Sequence, residues 1–239
     1  MSLLSSPTTL SSQEFLDRVH AAAPRVAVFD CDGTLWSRDA GSSFMRWSID
    51  EGLLSSEAIA WLNGRYAAYQ RGEVSELAIC GEMVQVYSGL RVDVLRRAAA
   101  RFFREHIEPH IFPDMLQLVT DLHHAGVEIW AVSSTSDWVI EEGVQRFGIP
   151  ANRVLAACVK CVDGLATTQL RDVPTDEGKV TALARVGITA PDVVFGNSVH
   201  DAAMLSLARV PFPVNPSLAL AGLSAERGWP VFYPSPSPG

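Results

Sequence analysis

The stretch Val28-Phe-Asp-Cys-Asp-Gly-Thr34 places two aspartates, Asp30 and Asp32, directly after an apolar run. The segment 25–30 is typical of a buried β-strand. Two carboxylates two residues apart at a strand end repel each other and favour the unfolded chain, which points to a chemistry that needs both. Cys31 lies between them, and we expect its side chain to point away from theirs and pack in the core.

Three further apolar runs, at 127–133, 192–196 and 210–215, predict strands. The prolines of the last run favour an edge position. A helix is predicted over 137–147, capped by Ser136 and ended by Gly148. A smaller interruption spans 154–171 and suggests a hairpin turn at 162–165. Strands that alternate with helices indicate an α/β fold built on a parallel sheet, whose ligands sit beyond the carboxyl ends of the strands.

A long segment between the first strand and the rest of the sheet contains no convincing strand. Helices are predicted over 56–71, 75–87 and 92–106, and residues 108–113 form the return linker. We therefore predict a helical insertion over residues 38–109 and a core made from residues 1–37 and 110–239.

The composition of the chain limits the classes of partner and the cellular locations that we expect for the protein. The 239-residue chain has a formal net charge of -8, which argues against nucleic-acid binding through its overall field. It has no apolar run of roughly 18 residues, so no membrane span is expected. The N-terminal segment 1–12 lacks the basic start and apolar centre of a secretory signal. Four cysteines do not suggest a disulfide framework, and a reducing cytoplasm is the simplest location. Nothing in the sequence indicates an oligomeric state.

Polar residues capable of chemistry follow three of the predicted strands. They are Asp30 and Asp32 after the first, Ser133 and Ser134 after the second, Asn197 and Asp201 after the third, and Lys179 at the start of the helix before the third. Parallel topology would bring them to one edge of the sheet. Carboxylate and amide oxygens suit a hard cation such as Mg²⁺. Hydroxyl groups and an ammonium group suit a phosphate.

Two neighbouring carboxylates can divide the work of phosphoryl transfer. Asp30 is predicted to be the nucleophile and to become an aspartyl-phosphate. Asp32 could protonate the leaving oxygen and later activate water. Gly33 allows the sharp turn after the pair, and Thr34 can tie that turn through its hydroxyl.

Four motifs in this order resemble the haloacid dehalogenase superfamily, and closely its phosphoserine-phosphatase-like branch. They are DCDGTL at 30–35, AVSS at 131–134, EGKV at 177–180 and GNSVHDAAML at 196–205. The resemblance covers nearly the whole chain. It implies a Rossmann-like parallel core with a mobile cap, and the helical insertion fits that cap. It also implies Mg²⁺ held by Asp30, by the backbone carbonyl of Asp32 and by Asn197, with Asp201 nearby.

Two positions depart from the family pattern and bear on metal and substrate. The family usually has aspartate where this chain has Asn197. An acidic residue nine positions after the nucleophile faces the substrate amine in phosphoserine phosphatases, and Asp39 fits that spacing. Phosphoserine phosphatases also have an arginine in the cap that pairs with the substrate carboxylate. The corresponding place in this chain is near Met83, and no lysine or arginine stands there. A phosphorylated amine or another small phosphomonoester therefore fits at least as well as phosphoserine.

The predicted function is that of a Mg²⁺-dependent phosphatase acting on a small phosphomonoester. Asp32 favours a phosphatase or phosphotransferase, because the dehalogenases of the superfamily lack an acid at that place and the ion pumps carry threonine there. Two alternatives stay open. One is a non-catalytic or weakly active binder of a phosphate ligand, and the other is a phosphotransferase that uses an alcohol acceptor.

Overall fold

In the computed structural model of this protein, residues 6–235 are described. The first five residues of the N-terminal segment discussed above lie outside that range. The strands are β1 (Thr9–Leu10), β2 (Val26–Phe29), β3 (Glu128–Ser136), β4 (Val154–Val162), β5 (Leu165–Asp172), β6 (Val193–Gly196), β7 (Val210–Pro213) and β8 (Val231–Phe232). Six of them form the central sheet in the order β5-β4-β3-β2-β6-β7, and β1 pairs with β8.

The central sheet is parallel except for the β4–β5 pair, which is antiparallel. In the middle of the sheet, Val28 is in register with Trp130 on one side and with Val194 on the other. The carboxyl ends of β2, β3 and β6 therefore meet at one edge, and this topology confirms the predicted α/β fold.

The helices flank this sheet and also fill the predicted insertion. They are α1 (Ser12–Ala21), α2 (Ala40–Asp50), α3 (Ser56–Gln70), α4 (Glu76–Gln85), α5 (Val92–Phe102), α6 (Pro113–His124), α7 (Asp137–Val144), α8 (Glu177–Arg185), α9 (Ala202–Leu207) and α10 (Leu218–Arg227). Helices α2 to α5 follow β2 and precede α6. The first of these four was not predicted, because the residue that caps it, Asp39, was assigned to substrate binding instead.

Three local predictions need correction. Ser136 occupies the N-cap position of α7, but its hydroxyl makes no capping hydrogen bond and has no partner among the described residues. Beyond Phe102 the helix of 92–106 continues as a π-helical turn over Phe103–Ile107. The segment 154–171 is more than an interruption, since residues 154–157 extend the parallel sheet before the hairpin begins.

Apolar side chains cover both faces of the sheet. On one face, the ring of Phe195 stacks between those of Phe29 and Phe212, with centroids 4.3 Å and 5.3 Å away. On the other face, Val28 and Val194 belong to a second buried cluster. Such two-sided burial explains why the central strands read as continuous apolar runs. Cys31 is fully buried in the first cluster, as predicted.

The tip of the β4–β5 hairpin holds the loop between α4 and α5 through backbone hydrogen bonds. Gly89 N donates to Ala166 O at 2.8 Å, Ala166 N donates to Leu90 O at 2.9 Å, and Val92 N donates to Gly164 O at 2.9 Å. The inserted helices are thus fixed beside the carboxyl edge of the sheet. None of the helices in residues 6–235 has the length and apolar character needed to cross a membrane.

Candidate functional site

A buried ion-pair network lies at the carboxyl end of β2. Lys179 Nζ donates to Asp30 Oδ1 at 2.7 Å, to Asp201 Oδ1 at 2.5 Å and to the carbonyl of Val132 at 3.3 Å. Lys179 is only 2 % exposed, although lysine is rarely buried unless it is paired. The hydroxyl of Thr34 donates to Asp30 Oδ2 at 2.9 Å. Both oxygens of Asp30 are therefore held in one orientation.

Asp32 is fixed by a different set of donors. Its Oδ1 accepts from Trp36 Nε1 at 2.6 Å and from the backbone N–H of Ala40 at 3.1 Å, and its Oδ2 accepts from Thr135 Oγ1 at 2.7 Å. Trp36 is fully buried against Phe103, with ring centroids 5.2 Å apart. The two aspartates thus point to separate partners despite their closeness in sequence.

The turn after Asp32 comes very close to Asn197. Gly33 has a φ of 77°, which favours glycine, and a Cβ at this position would lie 1.8 Å from Asn197 Nδ2. The absence of a side chain at Gly33 therefore makes the space in which the Asn197 amide sits. Asn215 Nδ2 donates to the carbonyl of Gly33 at 3.3 Å and holds the same turn.

The four residues predicted to ligate Mg²⁺ do not form one carboxylate cluster. Within the described residues, no group of three or more His, Cys, Asp or Glu side chains is arranged to hold a metal ion. Asp201 Oδ2 accepts from the backbone N–H groups of Asn197 and Ser198, both at 2.9 Å, and its Oδ1 accepts from Lys179. The structure thus gives Asp201 a clear contact to Lys179, and direct metal contact by Asp201 stays a prediction.

The end of β3 supplies the predicted hydroxyl groups and one that was not predicted. Ser133 is 2 % exposed, and its Oγ accepts from the backbone N–H of Thr135 at 3.1 Å. Ser133, Ser134 and Thr135 all line the same cavity. The role of Thr135 was missed because serine and threonine after a strand read as helix-capping residues, and only the fold shows that its hydroxyl reaches Asp32.

Asp39 lines the cavity but is also the N-cap of α2. Its Oδ1 accepts from the backbone N–H of Ser42 at 3.0 Å, and its Oδ2 accepts from Ser42 Oγ at 2.6 Å. Both of its oxygens are therefore already engaged, and the start of the helix compensates part of its charge.

The cavity between the sheet edge and the inserted helices has a volume of about 400 Å³. The sheet side contributes Asp30, Asp32, Lys179 and Asn197. The helical side is mostly apolar and aromatic, and it also carries an acidic residue, Glu76. Met83 lines the cavity as well, which places a thioether where the family resemblance implies an arginine.

Burial and neighbouring charges set the protonation of the site. Burial and the charge of Asp201 raise the pKa of Asp30 to about 6, against the effect of Lys179. Burial and the charge of Asp39 raise the pKa of Asp32 to about 7. Burial opposes the charge of Lys179, but Asp201 and Asp30 together raise the pKa of its ammonium group. At neutral pH the site therefore holds a charged lysine and a carboxyl group that exchanges its proton readily.

Comparisons with known proteins identify relatives of this chain in sequence and in fold. A histidinol-phosphatase of Neisseria meningitidis serogroup C (strain 8013) is 29% identical over 216 residues, which cover 86% of this chain and 97% of the relative. A solved protein of unknown function from Bordetella pertussis Tohama I superposes with a TM-score of 0.78 at 23% identity, covering 87% of this chain and 98% of that one. A substrate-bound phosphoserine phosphatase superposes with a TM-score of 0.60 at 15% identity, covering 88% and 92%.

The two superpositions show the shared fold. The family assignment comes from a sequence model, that of the haloacid dehalogenase-like hydrolases, which matches residues 27–206. This match includes the Asp30–Asp32 pair, the end of β3, Lys179 and the Asn197–Asp201 loop. The chain therefore belongs to the haloacid dehalogenase-like hydrolase family.

Proposed function

We propose that this protein is a Mg²⁺-dependent phosphatase that hydrolyses a small phosphomonoester through an aspartyl-phosphate on Asp30. The observation that carries the proposal is the position of Asp30. It is nearly fully buried at the end of the central strand, it is held by Lys179 and Thr34, and it faces a cavity that also holds Asp32 and the serines of β3.

In the first step, a carboxylate oxygen of Asp30 forms a bond to phosphorus while the ester oxygen–phosphorus bond breaks. Asp32 gives its proton to the leaving oxygen. Its raised pKa, about 7, suits this task because an efficient acid–base group titrates near the working pH. The hydrogen bonds from Trp36 and Thr135 keep the carboxyl group of Asp32 in place between the two steps.

In the second step, Asp32 takes a proton from water, and the water oxygen attacks phosphorus. The bond between Asp30 and phosphorus then breaks, which releases inorganic phosphate and restores the carboxylate. Lys179 offsets negative charge on the phosphoryl group through both steps. Ser133 and Ser134 are proposed to contact the phosphoryl oxygens, since both line the cavity beside Asp30.

The residues present fit Mg²⁺. Asp30, the backbone carbonyl of Asp32 and the amide oxygen of Asn197 would hold it, all of them oxygen ligands of the kind that this hard cation takes. The space left by Gly33 supports the fit, because it admits the Asn197 amide beside the turn that carries Asp32. When bound, the cation would neutralise phosphoryl charge and orient the ester for in-line attack.

The inserted segment, residues 38–109, is proposed to act as the cap that closes the site and selects the substrate. A cytoplasmic location goes with this proposal, because all four cysteines are free thiols. Asp39 stays a predicted substrate-binding residue in the cavity wall, with both of its oxygens accepting hydrogen bonds from Ser42. The name of the Neisseria relative, a histidinol-phosphatase, and the presence of Met83 in the cavity both favour an amino-alcohol phosphate over phosphoserine.

The decisive test replaces the nucleophile. Asp30→Asn should lower kcat for an aryl phosphate with Mg²⁺ by about a thousandfold or more, because an amide cannot form the acyl-phosphate bond. The exposed Asp17→Asn, which makes the same chemical change on α1, is the matched control. Hydrolysis by Asp30→Asn at the parent rate would overturn the mechanism.

The residue at position 197 supports a second candidate function, that of a phosphate-binding protein. Asn197 brings no charge to a position that aspartate usually occupies in the family, which would weaken metal binding. This favours a binder of a phosphate ligand with little or no turnover. Retained binding of inorganic phosphate with no hydrolysis of any ester would support that candidate.

A further inference from the structure

The helical wall of the cavity contains a carboxylate, Glu76, with one oxygen that accepts no hydrogen bond from the described residues. Glu76 is the first residue of α4, and its side chain is 16% exposed. Its Oε1 accepts a weak hydrogen bond from Cys80 Sγ at 3.4 Å. Its Oε2 is buried and has no hydrogen-bond partner in the part of the chain that the structure describes. A buried, unpartnered carboxylate oxygen is costly, so its persistence beside a cavity points to a ligand.

The cationic groups around the cavity do not satisfy Glu76. Lys179 is engaged by Asp30 and Asp201. His200 Nε2 is 3.9 Å from Glu76 Oε2, beyond hydrogen-bond distance, while His200 Nδ1 lies 2.7 Å from Asp176 Oδ1. Arg38 lines the cavity but forms no ion pair with Glu76. The hydroxyl of Tyr69 also interacts with Glu76, but it carries no charge, so no cationic group of the described residues lies within hydrogen-bond distance of this carboxylate.

Glu76 differs in this respect from Asp39, the other acidic residue available to a substrate. Both oxygens of Asp39 accept hydrogen bonds from Ser42, whereas Oε2 of Glu76 accepts none within the described residues. The surroundings of Glu76 also suit a cation, because the rings of Tyr66 and Tyr69 line the same wall with centroids 6.0 Å apart.

Glu76 is close to the phosphate end of the site. The thiol of Cys80 contacts both Glu76 and Ser134, so a single side chain separates the carboxylate from the end of β3. A short aminoalkyl ester could therefore reach both ends of the cavity.

We propose that Glu76 is a specificity-determining residue that binds the ammonium group of the substrate and selects aminoalkyl phosphates without a carboxylate. This inference rests on the proposed phosphatase function. The phosphoryl group lies at Asp30 and the cationic group at Glu76. Met83, on the same helix as Glu76, offers no charge to a carboxylate.

The test compares two esters that differ only in the ammonium group, histidinol phosphate and its deamino analogue. The wild-type protein should prefer the amine. In Glu76→Gln, the ratio of kcat/KM for the two esters should fall about tenfold or more, mainly through KM, because a charge-assisted hydrogen bond to the substrate is lost. Glu73→Gln is the matched control, since it removes an exposed charge three residues away and should keep the ratio.

Several outcomes would overturn the inference while leaving the phosphatase function intact. One is equal efficiency of the wild-type protein on both esters, and another is an equal loss on both esters in Glu76→Gln. A wild-type preference for phosphoserine over histidinol phosphate would indicate a carboxylate contact, with Arg38 as its candidate, and would also overturn it. No hydrolysis of any phosphomonoester, an aryl phosphate included, would overturn the proposed function and this inference with it. Thermal melting curves show whether each variant is folded.

Discussion

The two sides of the cavity are built in opposite ways. On the sheet side, Asp30, Lys179 and Asp201 satisfy one another in a buried network with distances of 2.5 to 2.7 Å. On the helical side, one oxygen of Glu76 accepts no hydrogen bond within residues 6–235 and lies among aromatic and apolar groups. The first arrangement is complete before any ligand arrives, whereas the second is completed by one.

This difference assigns the reaction chemistry to the sheet side of the cavity and the choice of substrate to the helical side. Reaction chemistry needs groups fixed in advance, because hydrogen bonds that already point at the reacting atoms need no reorganisation. Substrate choice needs a group whose interaction is made only by the correct ligand. We therefore expect changes on the sheet side to reduce both activity and stability, and changes on the helical side to alter selectivity.

The largest effect should come from Lys179→Met. Removal of the ammonium leaves the carboxylates of Asp30 and Asp201 buried and unpaired, which should lower the free energy of unfolding by about 3–5 kcal/mol at pH 7. Turnover of an aryl phosphate should fall to near background. Urea unfolding and steady-state kinetics measure the two effects, and Lys160→Met, at an exposed lysine on the hairpin, is the control.

If Lys179→Met were as stable as the parent, the sheet-side network would not stabilise the fold, and the proposed difference between the two sides of the cavity would be wrong. The loss should also shrink at lower pH, because the pKa of Asp30 rises further without the lysine and protonation then removes its buried charge.

Asn197→Asp should have an effect of intermediate size, and this effect should be limited to the affinity for Mg²⁺. A carboxylate in place of the amide adds a charge at the proposed cation site, so the Mg²⁺ concentration for half-maximal activity should fall about tenfold. Titration of hydrolysis with Mg²⁺ measures this, with the exposed Asn152→Asp as the control. Absence of hydrolysis in both the parent and Asn197→Asp would favour the binding protein over the enzyme.

The smallest effect should appear at Asp137, where α7 meets α5 and the hairpin. Burial, with a contribution from Glu141, raises the pKa of Asp137 to about 6. The folded state thus binds the proton more tightly than the unfolded chain, where the pKa is about 3.9. The stabilisation from the protonated form is full below about pH 4 and is lost as the pH rises through 6.

Asp137→Asn removes this dependence. The variant should match the parent near pH 4 and exceed it by about 1–2 kcal/mol at pH 8, allowing for the partial exposure of the side chain. Thermal unfolding at several pH values measures the difference, and Asp163→Asn in the exposed hairpin turn is the control. A constant difference across this range would show that the carboxyl group does not titrate as inferred.

Much of the sheet side was accessible from the sequence. The apolar runs placed β2, β3 and β6, and parallel topology implied that the polar residues after them would meet. Helices matching α3, α4 and α5 were predicted within the proposed insertion, but α2 was not, because its capping residue was assigned to a ligand. Ser136 does stand at the start of α7, but the pattern of hydroxyl residues could not show that its hydroxyl makes no capping hydrogen bond.

The partners of each site residue were the part that sequence could not supply. Asp201 was grouped with the metal ligands, yet its oxygens accept from Lys179 and two loop amides. Thr135 and Glu76 carried no local signal, since hydroxyl and acidic residues near helix starts are common for capping reasons alone.

The sequence by itself determined the α/β class and predicted the helical insertion and the residues at the carboxyl edge, because strand periodicity and motif order are local properties of the chain. Only the tertiary structure decided which oxygen each donor reaches and which carboxylate oxygen accepts no hydrogen bond from the described residues. Those outcomes depend on distances of a few ångströms between side chains far apart in sequence, such as Asp30 and Lys179, and no local pattern encodes them.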